Sequence, residues 1–319
     1  MEDPIENRRE GKKQRNIGIL AHVDAGKTTV TEQLMLLSGS IRAAGDVNSG
    51  TALTDWLDVE RRRGISVKTA CALLDWQGNP VCLVDTPGHV DFAGEVERSL
   101  GVLDGAVLVI SAVEGVQAHT ELIWKSLRKL QIPTILFINK LDRLGADAHR
   151  ILGQIGETLT DSALLMEEIQ GQETEACSVS MLLKPETSPS FREDVLLTLA
   201  QKEPDLEERY LSGEEIPWEE LMERWAKACR RGKCFPVLAG SAKMGVGIEE
   251  LLDGILQFLP DASAQETEEL SGIVFKVEHD PEMGKAAYVR LFGGSLRNRA
   301  SVVIPGSEEE KEEKEEKIT

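Results

Sequence analysis

The stretch Ala21–Thr28, with the sequence AHVDAGKT, decides most of what the chain reveals about its fold. It follows the apolar run Ile17–Leu20, which is typical of a buried strand, and it precedes Thr29–Leu37, whose apolar positions fit a helix. A loop between a strand and the first turn of a helix presents backbone N–H groups that can cradle a polyphosphate. In such a loop Lys27 would reach the β- and γ-phosphates, and the Thr28 hydroxyl would hold Mg²⁺.

A second motif, Asp85–His89 with the sequence DTPGH, comes directly after the apolar run Val81–Val84. An aspartate at the end of a buried strand has no role in core packing. We therefore predict that Asp85 holds Mg²⁺ through a water molecule beside the first loop. Gly88 has no Cβ, so its backbone N–H can come close to a γ-phosphate.

Two later motifs are typical of guanine recognition. Asn139–Asp142, with the sequence NKLD, follows the apolar run Thr134–Ile138, and Gly240–Lys243, with the sequence GSAK, follows Cys234–Leu238. The Asp142 carboxylate can accept two N–H bonds from guanine N1 and N2, and adenine offers no such pair of donors. A backbone N–H of the GSAK motif would meet the guanine O6. All four motifs follow strands in the order that a doubly wound sheet requires, so the sequence predicts an α/β P-loop GTPase fold.

At these motifs the chain resembles the translational GTPases of the elongation factor G type, and within them the tetracycline ribosomal-protection proteins. The sequence AHVDAGKTT at 21–29 is the translation-factor form of the loop, which accounts for Ala21 where other phosphate loops have glycine. The protection proteins are similar at Gly45–Thr51, at Thr54-Asp55 and at 240–243. They are also similar at Gly115–Ala118, where elongation factor G usually has proline at the fourth place. The resemblance covers nearly the whole chain.

The resemblance also implies the catalytic apparatus. His89 would orient the water that attacks the γ-phosphate, and Val23 and Ile65 match the apolar pair that screens this histidine. Ser66 stands where most relatives have threonine, and it keeps the hydroxyl that Mg²⁺ needs. Release factor 3 also has serine there, but its phosphate loop has proline where Val23 stands. The expected nucleotide-binding residues are His22, Val23, Asp24, Ala25, Gly26, Lys27, Thr28, Thr29, Asp85, Gly88, Asn139, Lys140, Asp142, Ser241, Ala242 and Lys243, and the expected metal ligands are Thr28, Ser66 and Asp85.

Composition fits an intracellular enzyme, and we expect a cytoplasmic monomer. With 36 basic and 55 acidic residues the net charge is −19, which disfavours independent nucleic-acid binding because that depends on neutralising phosphates. Ribosome contacts would need local basic patches, for which Arg61–Arg63 and Arg8–Arg15 are candidates, although both can be solvated charge. No apolar run is long enough for a membrane helix, and no signal peptide is evident. The five cysteines fit reduced thiols, with half of a zinc site at Cys229 and Cys234 as the alternative.

Length and pattern predict two domains. We expect a GTP-binding domain at 1–262, with an inserted subdomain within 143–235 that holds helices near Phe191–Lys202 and Trp218–Arg230 and a less regular stretch near Val179–Pro185. From 263 to 319 we expect the start of a β-barrel, with strands near 273–277, 287–291 and 301–304. The charged run Glu308–Lys317 would be a solvated hairpin or tail. Family members continue through three more domains, so we expect this chain to be a fragment.

Three functions remain open at this point. The first is ribosome-dependent GTP hydrolysis that promotes the release of tetracycline. The second is translocation of the elongation factor G type, which shares every catalytic residue. The third is a GTP-gated binding module that does not hydrolyse the nucleotide; the presence of His89 and of the Mg²⁺ residues disfavours it.

Overall fold

The computed structural model describes residues 14–41, 70–85, 100–182, 189–262, 269–280, 284–296, 301–304 and 314–317. The chain divides into two compact units, Met1–Ala262 and Ser263–Thr319. Within the described ranges, no helix is both long and apolar enough to cross a membrane.

A seven-stranded sheet forms the centre of the first unit. Its strands are β1 (Arg15–Ala21), β2 (Ala70–Trp76), β3 (Asn79–Asp85), β4 (Gly105–Ser111), β5 (Thr134–Asn139), β6 (Ala163–Leu165) and β9 (Phe235–Ala239). They lie in the order β2-β3-β1-β4-β5-β9-β6, and every neighbouring pair is parallel except β2 with β3. The predicted mostly parallel, doubly wound sheet is therefore confirmed.

Helices cover both faces of this sheet. The strand β4, with the sequence GAVLVIS, is buried along its whole length, as expected for a parallel strand packed on both sides. Its side chains alternate between two cores: Val107 and Val109 join one hydrophobic cluster, while Leu108 and Ile110 join the other. The helices of this unit are α1 (Lys27–Leu37), α2 (Ala118–Lys129), α3 (Ala148–Thr158), α4 (Pro189–Ala200), α5 (Pro204–Leu211), α6 (Trp218–Arg230) and α7 (Ile248–Phe258).

The region between the two base-recognition motifs contributes to the main sheet and also forms a separate layer. The strand β6 extends the sheet edge, and the chain then forms an antiparallel pair, β7 (Glu167–Gln170) with β8 (Ser178–Met181). The prediction of a less regular stretch near Val179–Pro185 is therefore wrong for residues 179–181, which belong to the strand β8. The reason is that β8 pairs only with β7 and exposes half of its side chains, so its apolar pattern is weak.

The helices α4 and α6 lie where the sequence predicts helices, and they bury Phe191, Leu221 and Trp225. On the outside, Arg209 and Arg224 both pair with Glu220, and Arg224 also pairs with Glu203. The side chains of these pairs are partly exposed to solvent, so the pairs stabilise the helices only modestly.

The second unit contains two antiparallel strand pairs. The first pair joins β10 (Ser271–Asp280) to β11 (Gly284–Gly293), and the second joins β12 (Ser301–Ile304) to β13 (Lys314–Lys317). The last residues of the charged run thus form one strand of a hairpin. That this unit begins a β-barrel stays a prediction.

Candidate nucleotide-binding site

The predicted motifs meet at one edge of the main sheet. Parallel strands place their carboxyl ends together, and the register pairs Ile19 with Asp85, Ser111 with Asn139, and Ile138 with Ala239. The loops that follow β1, β5 and β9, together with Asp85 at the end of β3, therefore share this edge, where open α/β sheets bind their ligands.

The loop between β1 and α1, which we predict to be the phosphate loop, has a shape that suits an anion. Asp24 and Gly26 have φ angles of 64° and 94°, in the left-handed region, which folds the loop back over the start of α1. A Cβ at position 26 would lie 2.4 Å from Asn139 Nδ2, so only glycine fits here. The first turn of α1 has no side-chain cap and no acidic residue, so its positive end suits a phosphate. Lys27, at the first position of the helix, is 8% exposed.

The side chain of Asn139 joins two of the loops. Its Nδ2 donates to Ala25 O at 2.9 Å, and its Oδ1 accepts from Ala242 N, also at 2.9 Å. These partners are 114 residues before it and 103 residues after it in the chain. Nucleotide binding by Asn139 stays a prediction; the structure shows that Asn139 fixes the predicted phosphate loop against the GSAK loop.

The carboxylate of Asp142, which we predict to recognise the base, is also held in place. Ser241 Oγ donates to Asp142 Oδ1 at 2.5 Å, and Leu141 N donates to Gly240 O at 3.1 Å. Backbone bonds between Ser241 and Val246 close the GSAK loop on itself. Ser241 is fully buried, so the carboxylate is presented by a rigid support. Either carboxylate oxygen can accept further N–H bonds, because each has two lone pairs.

His22 and Lys140 direct their side chains to a residue that the sequence did not single out. His22 Nε2 lies 3.6 Å and Lys140 Nζ 3.5 Å from Glu114 Oε2, and His22 Nδ1 lies 3.0 Å from Thr120 Oγ1. Burial lowers the pKa of His22, which keeps the ring neutral at neutral pH. Partial burial acts to raise the pKa of Glu114, but Lys140 and hydrogen bonds outweigh it and hold that pKa below its ordinary value. Glu114 thus ties the phosphate loop to the NKLD loop.

Of the other residues expected at the site, some lie within the described part of the chain and some do not. Val23, Asp24 and Lys243 are exposed, Ala25 and Ala242 are buried, and Thr28 and Thr29 are partly buried. Ile65, Ser66, Gly88 and His89 lie outside the described residues. Their roles stay predictions.

The residues that could hold Mg²⁺ suit that ion. Thr28 stands in the first turn of α1, and Asp85 ends β3 opposite Ile19, close before the phosphate loop. A hydroxyl and a carboxylate are hard oxygen donors, and Mg²⁺ bound with a nucleotide takes few ligands from the protein because phosphates and water supply the others. The donor set therefore fits the ion.

Cys229 and Cys234, the candidates for half of a zinc site, are buried thiols. Cys229 and Cys234 are free and buried, and burial raises the pKa of Cys229 well above its ordinary value and that of Cys234 to about 12. Metal-binding cysteines must be thiolates. Across the described residues, no group of three or more His, Cys, Asp or Glu side chains is arranged to hold a metal.

Replacing Asn139 with alanine should destabilise the protein and weaken nucleotide binding. The change leaves Ala25 O and Ala242 N buried without their partner, at a cost of about 1–3 kcal/mol for each unsatisfied group. Urea unfolding in the absence of nucleotide measures the loss. Asn79→Ala is the matched control, because the Asn79 amide bonds only to carbonyls of its own turn. Equal unfolding midpoints for Asn139→Ala and the parent would contradict the bridging role.

Comparison with known proteins identifies relatives of this chain. The tetracycline resistance protein TetP of Clostridium perfringens is 42% identical over 93% of this chain and 45% of its own length. The oxytetracycline resistance protein of Streptomyces rimosus is 43% identical over 91% of this chain and 44% of its own length. Elongation factor G of Thermotoga neapolitana is 36% identical over 91% of this chain and 48% of its own length. A crystal structure of a protein from Thermus thermophilus matches 96% of this chain and 48% of its own with a TM-score of 0.81 and 30% identity.

The chain thus spans about half the length of the curated relatives it matches. The family model described as the elongation factor Tu GTP binding domain matches residues 12–261, which include all the motifs that meet at the sheet edge. Because this match covers most of the chain, the protein belongs to the elongation factor Tu GTP-binding domain family.

Proposed function

We propose that this chain binds GTP and GDP with Mg²⁺ and hydrolyses GTP, as the nucleotide-binding part of a ribosome-dependent GTPase that promotes the release of tetracycline. The observation that carries the proposal is the support of Asp142. Ser241 holds its carboxylate at 2.5 Å, and Asn139 fastens the same loop to the phosphate loop. Such a preorganised acceptor recognises the N1–H and N2–H pair of guanine and penalises adenine.

Hydrolysis of GTP transfers a phosphoryl group to water and depends on positioning and electrostatics. The uncapped first turn of α1 and Lys27 would bind the phosphates, and His89 would orient the attacking water. Mg²⁺, when bound with the nucleotide through Thr28, Ser66 and Asp85, supplies positive charge against the developing negative charge.

The ribosome is the proposed partner, and the proposal therefore places the activity in the cytoplasm. The names of two relatives, the tetracycline resistance protein TetP and the oxytetracycline resistance protein, support tetracycline release. The net charge of −19 argues against broad affinity for RNA, so contacts would come from local basic patches or from ribosomal proteins. We propose that the chain acts as a monomer.

Translocation of the elongation factor G type is the second candidate, because the Thermotoga neapolitana elongation factor is 36% identical. Growth of a susceptible bacterium carrying the full-length gene in tetracycline separates the two. Growth supports ribosomal protection, whereas complementation of a strain lacking elongation factor G supports translocation. Binding of GTP without any turnover on ribosomes would instead support a non-hydrolysing binding module.

Asp142→Asn tests the proposed base recognition. We expect GDP affinity to fall by about 10- to 100-fold, because a charge-assisted hydrogen bond of roughly 1.5–3 kcal/mol is lost. Binding of xanthosine diphosphate should rise, since its O2 acceptor suits the amide donor of asparagine. Titration calorimetry measures the affinity of the variant for each of the two nucleotides. Asp194→Asn, on the exposed face of α4, is the control. Equal affinity of the parent for ADP and GDP would refute guanine recognition.

A further inference from the structure

Among the described residues, the edge strand β6 ends before its neighbour β9 does, close to the GSAK loop. The strand β6 pairs with β9 only as far as Leu165 opposite Val237, and the last backbone bond runs from Met166 N to Val237 O at 2.9 Å. In a parallel ladder the next N–H on this side of β9 belongs to Ala239, two residues further along. Met166 O, which would accept from that N–H in a continued ladder, instead accepts from Leu182 N as the chain turns into β7.

A side chain takes the place of the missing strand. Glu167 Oε2 accepts a hydrogen bond from Ala239 N at 2.5 Å, although the two residues are 72 positions apart. Glu167 is only 2% exposed, and its Oε1 is buried without a hydrogen-bond partner among the described residues. A carboxyl group is rarely buried to this extent, so its position calls for an explanation beyond packing.

Ala239 is tightly linked to the loop that follows it. A Cβ at Gly247 would lie 2.2 Å from Ala239 O, and a Cβ at Gly240 would lie 2.2 Å from Val246 O. The backbones at both ends of the GSAK loop are therefore in close contact. A displacement of Ala239 would be transmitted to Ser241 and Ala242, which hold Asp142 and Asn139.

We propose that Glu167 is a positioning residue for guanine binding: its buried carboxyl ends the sheet in place of a strand, fixes Ala239, and thereby sets the position of the GSAK loop. This inference rests on the proposed function, since it concerns the same nucleotide site. Glu167 itself does not touch the nucleotide in this arrangement. It acts through the hydrogen bond to Ala239 and the packing of Gly240 and Gly247.

The charge of Glu167 gives this role a pH dependence. Burial and, to a lesser extent, Glu250 on α7 raise the pKa of Glu167 to about 8, although the bond from Ala239 N acts in the opposite direction. The strands packed against it, β8 and β9, contain no titratable side chain. Between its ordinary pKa and 8 the folded chain keeps a proton that the unfolded chain loses, so this carboxyl makes the fold less stable as pH rises. Above pH 8 the carboxyl ionises while buried, and we expect the loop to loosen.

The test compares GDP affinity in the parent, Glu167→Gln and Glu167→Ala from about pH 6.5 to 9, a range that spans the pKa of Glu167. The parent should lose affinity as pH rises through 8, by about three- to tenfold. Glu167→Gln keeps an uncharged acceptor for Ala239 N, so its affinity should match that of the parent at the acidic end and change less at the basic end. Because the parent and the glutamine variant bind the same GDP, ionisation of the nucleotide affects both affinities equally and cancels in the comparison. Glu167→Ala should bind about tenfold more weakly at every pH, because the buried N–H loses its partner.

Glu168→Ala, on the exposed side of the same strand, is the matched control and should behave as the parent. Circular dichroism at each pH establishes that the variants are folded. If Glu167→Ala does not fold, the pH profile of Glu167→Gln decides the matter alone. A glutamine variant with the same pH profile as the parent would overturn the inference while leaving the proposed function intact. A parent that binds no GDP at any pH would overturn the proposed function itself.

Discussion

Lys27→Ala should abolish nucleotide binding and leave the nucleotide-free fold nearly unchanged. Lys27 begins α1, directly after Gly26, where the helix end has no side-chain cap and the loop folds back with a left-handed turn. An ammonium group placed here meets phosphate charge, and its charge-assisted hydrogen bonds to phosphate are among the strongest that a side chain makes. We expect GDP affinity to fall by at least about 100-fold, because two such contacts of roughly 1.5 kcal/mol each are lost.

Calorimetry with GDP and Mg²⁺ measures this loss. Lys129→Ala removes an equal charge from the exposed end of α2 and should bind GDP as the parent does. Thermal unfolding without nucleotide should give similar midpoints for the parent and both variants. Added GDP should raise the midpoint of the parent and of Lys129→Ala only, because a ligand stabilises the state that binds it. Undiminished GDP affinity in Lys27→Ala would mean that this loop is not a phosphate site.

The elements that the sequence predicted well are those with a continuous local signal. The strands β1, β4, β5 and β9 are buried on both faces, so each contains a continuous apolar run, and polar motifs mark where the runs end. The sequence also predicts helices α4 and α6, which bury large side chains at helical spacing. The short strands β6 to β8 have three or four residues each, which is too few for a pattern to emerge.

The supports of the site could not be read from the sequence. The bridge from Asn139 to Ala25 and Ala242, and the bond from Ala239 to Glu167, join residues between 72 and 114 positions apart. Such pairings depend on which strands become neighbours, and one sequence carries no local trace of them. Glu167 is the clearest case. A glutamate next to another glutamate in a short segment suggests a solvated strand, whereas the fold buries this one almost completely and exposes its neighbour Glu168.

His89→Ala should retain nucleotide binding and lose ribosome-stimulated hydrolysis. The prediction rests on the DTPGH motif, whose first residue, Asp85, ends β3 at the ligand edge of the sheet. A residue that orients the attacking water acts in the transition state, so ground-state affinity for GTP should hardly change. The expected loss of single-turnover rate on ribosomes is at least about 100-fold, the scale of a positioned group that assists proton transfer.

The measurement is phosphate release by the full-length gene product with and without 70S ribosomes. His149→Ala, which removes an exposed histidine of α3, should retain the parent's rate. In the 319-residue chain without ribosomes, hydrolysis should be slow whether residue 89 is histidine or alanine, because the activating contacts of the ribosome are absent. That pattern would separate a catalytic role from a binding role. A His89→Ala protein that hydrolyses GTP on ribosomes as fast as the parent would remove His89 from the mechanism, and another group would then have to position the water.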